Sequence, residues 1–430
     1  MCKRNVQRKK VSLRLTLALA LLAASFLIPS PRAVAQQEVV LYNFGPAPDG
    51  NAPTASLIFD SSGNLYGTGS AGGVLDDGAV FELKREGSGE FKEKLIHSAT
   101  GNDGFNTYGS LIFDKAGNLY GVENGGGPYN AGTVFELTPT GGNIWKETVL
   151  YNFDGVNGNG PGAGLVFDKN GNLYGTTIYG GSTSTACDTH REGCGTVFEL
   201  VRQPGGMWAE KVLHAFNRDG TDGTQPVASV IFDDAGNIYG MTSQGGSADG
   251  GVAFELTPGP GGVWTETLLH TFLNNGADGF NSQGGLIFDA SGNLYGTTGG
   301  GGGTVNRGTV FELSPAGGSW TETILYAFKD NASDGIIPYG GVIFDAKGNL
   351  YGVTGDGGNL GFGTVFELTP AAGGWTETLL YNFGNAPDGN YPNGPLIFDQ
   401  VGNLYGTTEQ GGSNAGCDFG SCGTVFRITP

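Results

Sequence analysis

The 430-residue sequence predicts an all-β fold, a seven-bladed β-propeller of four-stranded antiparallel blades, on three observations. Glycine supplies 81 residues, about one in five, without the three-residue period of collagen. So much glycine disfavours long helices, because each one inside a helix costs about 1 kcal/mol. Four short sequence blocks recur seven times at spacings of 54 to 65 residues. Each block is rich in β-branched and aromatic residues and is bounded by turn residues, which is typical of strands.

The four blocks predict the four strands of one blade. They read Leu-Ile-Phe-Asp (A), Asn-Leu-Tyr-Gly (B), Thr-Val-Phe-Glu-Leu (C) and Trp-Thr-Glu-Thr-Leu-Leu-Tyr-Asn-Phe (D). Tight turns join A to B (Asp-x-x-Gly-Asn) and C to D (Thr-Pro-x-Gly-Gly), so the longer B–C and D–A loops share the opposite face. We expect any ligand at that loop face. The Phe of A, Tyr of B, Phe of C and Trp of D are expected to be buried between neighbouring blades.

The order of the blocks predicts how the ring closes. A D block, Gln36–Phe44, comes before the first A block, and the last repeat ends with its C block at Thr424–Thr429. The N-terminal strand is therefore predicted to complete the last blade. An open solenoid would not need this displaced strand and would show atypical terminal repeats.

The first 35 residues predict a signal peptide. A basic segment is followed by the apolar run Leu15–Ile28 and by Ala33-Val34-Ala35, a small-residue cleavage site. Residues 36–430 are then a single propeller, expected to be a periplasmic or extracellular monomer without a membrane span. Cleavage near Ala35 leaves 15 basic against 41 acidic residues, a net charge of −26. Such a charge excludes nucleic acid as a partner.

The repeats resemble the glycine-rich GloVer tandem-repeat proteins of exported bacterial origin. The resemblance rests on runs such as Gly171–Thr177, Gly180-Gly181 and Gly195–Leu200, and it covers essentially all of the mature chain. It implies the repeat and export but no shared activity. The Asp-x-x-Gly-Asn-Leu-Tyr hairpin is also similar to that of NHL-type and lactonase-type propellers, which implies the fold alone.

The D–A loops contain the candidate metal ligands. Six of them have Asp before Gly, and these carboxylates are candidates for Ca²⁺, which takes oxygen ligands: Asp49, Asp103, Asp222, Asp278, Asp334 and Asp388. The alternative is that each Asp caps the backbone of its own turn. No other cofactor is expected. His97, His214 and His270 replace the Tyr of the D block, which indicates a packing role.

Four cysteines predict two disulfides in an exported chain. Cys187 and Cys194 lie in the third B–C loop, and Cys417 and Cys422 lie in the seventh. Because each loop contains its own pair, we expect local pairing, which closes short loops.

The near-complete symmetry predicts a non-catalytic binding or scaffold module that uses the B–C and D–A loop face. Carbohydrate, protein or cations are the expected ligand classes. The alternative is an enzyme of lactonase, lyase or glycan-hydrolase type, which needs residues that break the repeat around one axial site. The candidates for such residues are Asp76, Asp77, Glu123, Asp249, Arg307, Asp356 and Glu409. Their clustering would favour the enzyme, and their scatter around the rim would favour binding.

Overall fold

Seven four-stranded antiparallel sheets form the blades of a β-propeller, as the repeats predict. The computed structural model describes residues 38–87, 90–142, 144–181, 187, 193–331, 334–417 and 421–430. The predicted signal peptide lies outside these residues. The described residues include one 3-10 turn, Pro260–Gly262, and they contain no helix that is long and apolar enough to cross a membrane.

Each blade runs A-B-C-D from its first strand to its last. The A strands are Ile58–Phe59, Ile112–Phe113, Val166–Phe167, Ile231–Phe232, Ile287–Phe288, Val342–Phe344 and Ile397–Phe398. The B strands are Leu65–Gly69, Leu119–Glu123, Leu173–Tyr179, Ile238–Met241, Leu294–Thr298, Leu350–Thr354 and Leu404–Thr408. The C strands are Ala79–Arg85, Thr133–Gly141, Thr196–Arg202, Val252–Pro258, Thr309–Ala316, Thr364–Ala371 and Thr424–Ile428. The D strands are Phe91–Ser98, Ile144–Asn152, Trp208–Ala215, Trp264–Thr271, Ser319–Ala327, Gly374–Asn382 and, for the seventh blade, Glu38–Asn43.

The N-terminal strand closes the ring. Glu38–Asn43 pairs antiparallel with Thr424–Ile428, from Glu38 opposite Ile428 to Asn43 opposite Thr424. The amide of Phe44 continues this contact by donating to the carbonyl of Gly423 at 3.1 Å. The predicted closure is confirmed.

The A–B turns are capped by the Asp that ends each A block. In the first blade, Oδ1 of Asp60 accepts the amides of Ser62 and Asn64 at 2.8 and 2.9 Å. Its Oδ2 accepts the side-chain amide of Asn64 at 2.7 Å. Gly63 has a φ of +81°, a left-handed conformation that glycine adopts without strain.

The D–A loop that enters each blade pairs with the B–C loop of the same blade. The two-stranded pairs are Gly50–Asn51 with Ala71–Gly72, Gly223–Thr224 with Gln244–Gly245, Gly279–Phe280 with Gly300–Gly301, Gly335–Ile336 with Asp356–Gly357, and Gly389–Asn390 with Gln410–Gly411. Asn159–Pro161 pairs with the long third B strand, and Phe105 bridges to Gly125. The predicted ligand face is therefore a hydrogen-bonded rim, since both loop types are tied together in every blade.

The aromatic rings of the core differ in how deeply they are buried. The largest fully buried side chains are C-strand phenylalanines and the phenylalanine that ends six of the seven D blocks, namely Phe44, Phe81, Phe135, Phe153, Phe198, Phe216, Phe254, Phe272, Phe311, Phe328, Phe366 and Phe383. The B-strand tyrosines are buried as predicted. The A-strand phenylalanines and D-strand tryptophans are only partly buried, and Trp264 is an example. These rings pack against the buried core as predicted but keep some exposure to solvent, because A and D are the two edge strands of each sheet.

The glycine of the B block makes room for the C-strand phenylalanine. Gly296 lies opposite Phe311 in the sheet, and a Cβ at Gly296 would lie 2.7 Å from Cζ of that ring. We expect Gly296→Ala to destabilise the protein by about 1–3 kcal/mol through overpacking, measured by denaturant unfolding. Gly87→Ala is the control, because a Cβ at Gly87 meets open space. Equal midpoints for wild type and Gly296→Ala would contradict this packing.

Candidate functional site

The strongest departure from the repeat lies at the propeller axis. A cavity of about 270 Å³ is lined by the segments that precede the A strands of all seven blades. Small residues form most of its wall, including Ser110, Ala163, Ser229, Gly285 and Gly341.

One residue per blade forms a ring around this cavity, which we call the first ring. It consists of Thr54, Tyr108, Gly162, Val227, Gln283, Tyr339 and Asn393, all of which line the cavity. Each member is at least partly exposed, whereas the residues immediately before and after it are buried. Six different residue types therefore occupy one equivalent position in a chain whose neighbouring blocks are almost invariant.

The backbone of the first ring is the same in every blade. The residue two positions before each member has a φ between +48° and +70°, namely Ala52, Asn106, Gly160, Gln225, Asn281, Ile337 and Tyr391. This left-handed conformation is costly for a β-branched residue such as Ile337, so the surrounding structure must enforce it. The blades consequently present different side chains from one common scaffold.

A second ring lies beside the first. It consists of the residue four positions after the tyrosine of each B block. Its members are Ser70, Asn124, Ile178, Ser243, Gly299, Gly355 and Glu409. The side-chain amide of Asn393 donates to Oε2 of Glu409 at 2.7 Å. Burial raises the pKa of Glu409, although the hydrogen bond from Asn393 opposes this shift. Burial, and then the charge of Glu409, raises the pKa of Tyr108.

Several other candidates from the sequence lie apart around the rim, whereas Glu123 is fully buried at the end of the second B strand. Asp76 accepts the amide of Gly72 at 2.7 Å, and Asp249 accepts that of Gly245 at 3.1 Å. Arg307 pairs with Asp330 at 2.9 Å. Asp356 interacts electrostatically with Arg307 and with Tyr339 of the first ring. Glu409 is therefore the only one of these candidates that belongs to the two axial rings.

The loop aspartates lie at the boundaries between blades. At the boundary between the fourth and fifth blades, Oδ2 of Asp278 accepts the amide of Leu273 at 2.8 Å and lies 3.3 Å from Nε2 of His270. Oε2 of Glu322, from the D strand of the next blade, lies 3.7 Å from the same nitrogen. Asp49, Asp222, Asp334 and Asp388 likewise accept an amide of their own turn, as does Asp103 from Thr100. The six carboxylates belong to six different boundaries, so they do not converge on one ion.

A β-bulge in every D strand creates this arrangement. The register of the fourth blade shifts between Ala253 and Phe254, which leaves Leu269 as the extra residue of the D strand. Residues four apart on a regular strand share a face, but an inserted residue reverses the alternation. Glu266 therefore faces His214 of the previous blade, while His270 faces Glu322 of the next.

Burial makes these glutamates weak acids. It raises the pKa of Glu322 to about 7, and the Asp278 carboxylate adds to the shift. The same cause raises the pKa of Glu38, Glu93, Glu147, Glu266 and Glu377 to about 7. Among the described residues, Oε1 of these six glutamates, and of Glu210 at the same position in the third blade, is buried without a hydrogen-bond partner.

Sequence reasoning identified several of these residues but not the first ring or the boundary clusters, because a position in the repeat does not show which residues of adjacent blades meet. Each boundary cluster joins residues about 50 positions apart, such as His214 and Glu266. An alignment of the seven repeats against one another contains the signal, since the first ring is the column that varies.

Both predicted disulfides are confirmed. Cys187 is bonded to Cys194 with a Cα–Cα distance of 5.1 Å, and Cys417 is bonded to Cys422 with a distance of 5.2 Å. The second cysteine of each pair is almost fully buried. Most of the loop between Cys187 and Cys194, and residues 418–420, lie outside the part that the structure describes.

Comparison with known proteins identifies the repeat. The model of the Gloeobacter/Verrucomicrobia repeat matches residues 32–187 and 183–426. No curated protein has a significantly similar sequence.

Three solved structures illustrate the structural likenesses. A luciferin-regenerating enzyme is 12% identical, with a TM-score of 0.45 and coverage of 92% of this chain and 95% of its own. A Bacteroides uniformis protein assigned as a 6-phosphogluconolactonase is 15% identical, with a TM-score of 0.45 and coverage of 86% and 89%. A Trichoderma reesei protein of carbohydrate-active enzyme family AA12, in a calcium structure, is 13% identical, with a TM-score of 0.42 and coverage of 92% and 96%.

Proposed function

Since the chain belongs to the Gloeobacter/Verrucomicrobia repeat family, which is defined by a repeat, we propose a function from the positions where this chain departs from that repeat. The protein is a binding module for a neutral polar ligand of carbohydrate chemistry. The ligand binds at the opening of the axial cavity formed by the two rings, which we call the axial mouth. The single observation that carries the proposal is the variation of the first ring within an otherwise repeated scaffold. Residues that serve only architecture recur in every blade, whereas a small ligand without sevenfold symmetry requires different contacts from different blades.

The distribution of side chains in the first ring suits one oriented ligand. Blades five, six, seven, one and two contribute Gln283, Tyr339, Asn393, Thr54 and Tyr108, which are polar or aromatic. The remaining blades, three and four, contribute Gly162 and Val227. The mouth thus has a polar arc and a small apolar arc.

The chemistry of the polar arc favours a sugar. A sugar ring presents hydroxyl groups at its edge and C–H groups on its face, so it pairs with planar amides and packs on aromatic rings. Tyr108, which is 40% exposed, and Tyr339 offer such amphipathic rings. Asn393 and Glu409 offer a fixed donor and acceptor pair. The cavity volume is near the lower end of the range for small-molecule sites.

The charge of the mouth favours a neutral ligand and binding without turnover. Glu409 is the only charged residue among the fourteen members of the two rings. Hydrolysis of a glycosidic bond ordinarily needs two carboxyl groups that flank the bond. The disulfides support a place of action outside the cytoplasm.

A glycan panel tests the proposal by thermal shift and calorimetry, since a ligand that binds only the folded chain raises Tm. We expect neutral sugars to bind, and Tyr108→Thr or Tyr339→Thr to weaken binding at least about tenfold, or ~1.4 kcal/mol. Threonine already occupies this position in the first blade, so the variants retain the fold. Tyr129→Thr, at a rim residue that is 64% exposed, is the matched control.

Three outcomes would count against the proposal. Binding of anionic or cationic ligands alone would exclude a neutral ligand. Wild-type affinity in both ring variants would exclude the axial mouth as the binding site. Cleavage of the bound sugar that is lost in Glu409→Gln would establish the enzymatic alternative in place of simple binding.

A further inference from the structure

The boundary between the first and second blades contains one carboxylate that no other boundary has. Glu123 ends the second B strand, where five other blades have threonine at Thr177, Thr242, Thr298, Thr354 and Thr408, and the first blade has Gly69. Glu123 is 0% exposed, and neither of its carboxylate oxygens has a hydrogen-bond partner in the described structure. A buried, ionised carboxylate without partners is strongly unfavourable, and a bound cation would compensate its charge.

Glu123 points into the boundary cluster of this blade pair. Its Oε1 lies 3.7 Å from Nε2 of His97, a nitrogen that also lacks a hydrogen-bond partner. One ligand atom each from His97, Asp103 and Glu147 lies within 4.8 Å of the other two. The four groups therefore come from two D strands, one B strand and one D–A loop of adjacent blades.

The D–A loop beside the cluster leaves room for the Glu123 side chain at a glycine. Gly104, which follows Asp103, has a φ of +155°, and a Cβ at this glycine would overlap the Glu123 carboxylate. Asp103 and Glu147 are only partly buried, so an ion can reach the cluster from solvent.

The charges of the cluster are not balanced by protein cations. Three carboxylates surround one imidazole, and among the described residues no lysine or arginine forms an ion pair with any of them. Two ligand atoms bound to one ion at ~2.1 Å are at most about 4.2 Å apart. The ligand atoms of His97, Asp103 and Glu147 need only a small contraction to reach this value. Oε1 of Glu123 is already close enough to His97, and the Glu123 carboxylate must turn toward Asp103 and Glu147 to share one ion with them.

We propose that His97, Asp103, Glu123 and Glu147 bind one divalent transition-metal ion, with the chemistry of Zn²⁺ or Mn²⁺, that links the first two blades. The imidazole donor selects against Ca²⁺, which prefers an all-oxygen shell. The site lies at a blade boundary and is separate from the residues that line the axial cavity, so it does not depend on the proposed ligand.

Two other blade boundaries contain an equivalent cluster that lacks the fourth ligand, and we call them the sibling clusters. His214, Asp222 and Glu266 form one, and His270, Asp278 and Glu322 form the other. In these blades Thr242 and Thr298 replace the glutamate, and each hydroxyl donates to a backbone carbonyl at 2.9 Å. Their positions are satisfied within the protein.

The test uses the full mature chain after treatment with a chelator. Calorimetry with Zn²⁺, Mn²⁺ and Ca²⁺ is expected to give one Zn²⁺ or Mn²⁺ site per chain, at least 100-fold tighter than Ca²⁺. Zn²⁺ is expected to raise Tm. Failure to bind one equivalent of either transition metal would overturn the proposal.

Two variants that restore the common residue of the repeat identify the site. Glu123→Thr and His97→Tyr are expected to abolish binding or weaken it at least 100-fold, and Glu123→Thr to raise Tm of the metal-free chain. His214→Tyr, in a sibling cluster, is the control and is expected to keep the stoichiometry and the shift. Unchanged binding in Glu123→Thr, or equal loss in His214→Tyr, would place the ion elsewhere and refute the assignment.

Discussion

A chain that begins at residue 44 instead of residue 36 is expected to lose most of its stability. The strand Glu38–Asn43 is the fourth strand of the seventh blade, and its removal exposes the backbone edge of Thr424–Ile428. The first and last blades would then lose the segment that ties both ends of the chain together. We expect a loss comparable with the ~5–15 kcal/mol that stabilises a typical domain. Thermal unfolding and gel filtration would reveal it as a large fall in Tm and as aggregation through the open edge.

A peptide of residues 36–43 distinguishes closure from a general effect of truncation. Added in excess to the shortened chain, this peptide is expected to raise Tm by occupying the vacant edge. A chain that lacks only Pro430 is the control and is expected to match wild type, because this residue is exposed and follows the last strand. A monomeric shortened chain with wild-type Tm would show that closure contributes little.

The protein is expected to be most stable near pH 5 and to lose stability as the pH rises to 8. Burial raises the pKa of Glu93, Glu322 and Glu377 to about 7 in the folded chain, above the ordinary value of 4.5. Between these two values the folded state holds more protons than the unfolded state, so the free energy of unfolding falls as pH rises.

The histidines act in the same direction. Burial lowers the pKa of His214 and His270, but the hydrogen bonds to Asp222 and Asp278, together with the charges of nearby carboxylates, raise it above the ordinary value. Glu266 and Glu322 of the next blades reinforce these shifts. The stabilisation is complete below the ordinary pKa of 6.5 and is lost as the pH rises through the higher folded value. At the acidic end, turn aspartates such as Asp345, whose pKa is lowered, lose their contribution as the pH falls below about 4.

We expect Tm to fall by about 5–10 °C between pH 5 and pH 8, after a discount for the partial exposure of these groups. Calorimetry at constant ionic strength, with a chelator present, measures the profile. Glu322→Gln and Glu377→Gln should flatten it, whereas Glu86→Gln, at an exposed residue, should leave its slope unchanged. A Tm that stays level or increases over this range would contradict the boundary chemistry.

The architecture could be predicted because its determinants are local and occur seven times. Gly63 and Asp60 specify a turn with their own backbone and side chain, and any one copy would be weak evidence. Closure could be predicted from the order of the blocks. The chain starts with a D strand that has no A, B and C strands before it, and it ends with a blade that lacks a D strand. The disulfides could be predicted because each pair lies within one loop.

The depth of burial and the boundary clusters could not be predicted in this way. Whether Trp264 or Phe272 is the buried ring depends on which strands lie at the blade edge and on the bulge that precedes the phenylalanine. The same bulge turns His270 toward Glu322, and no pattern within the D block indicates it.

The amino-acid sequence by itself determined the number of blades, the strand pairing and the loop face, because these follow from short-range turn chemistry and the alternation of side chains. Only the tertiary structure decided that Glu123 meets His97, and that seven residues of six different types meet at one axis. Both are contacts between separate blades, and their geometry depends on how the sheets twist and pack around the ring.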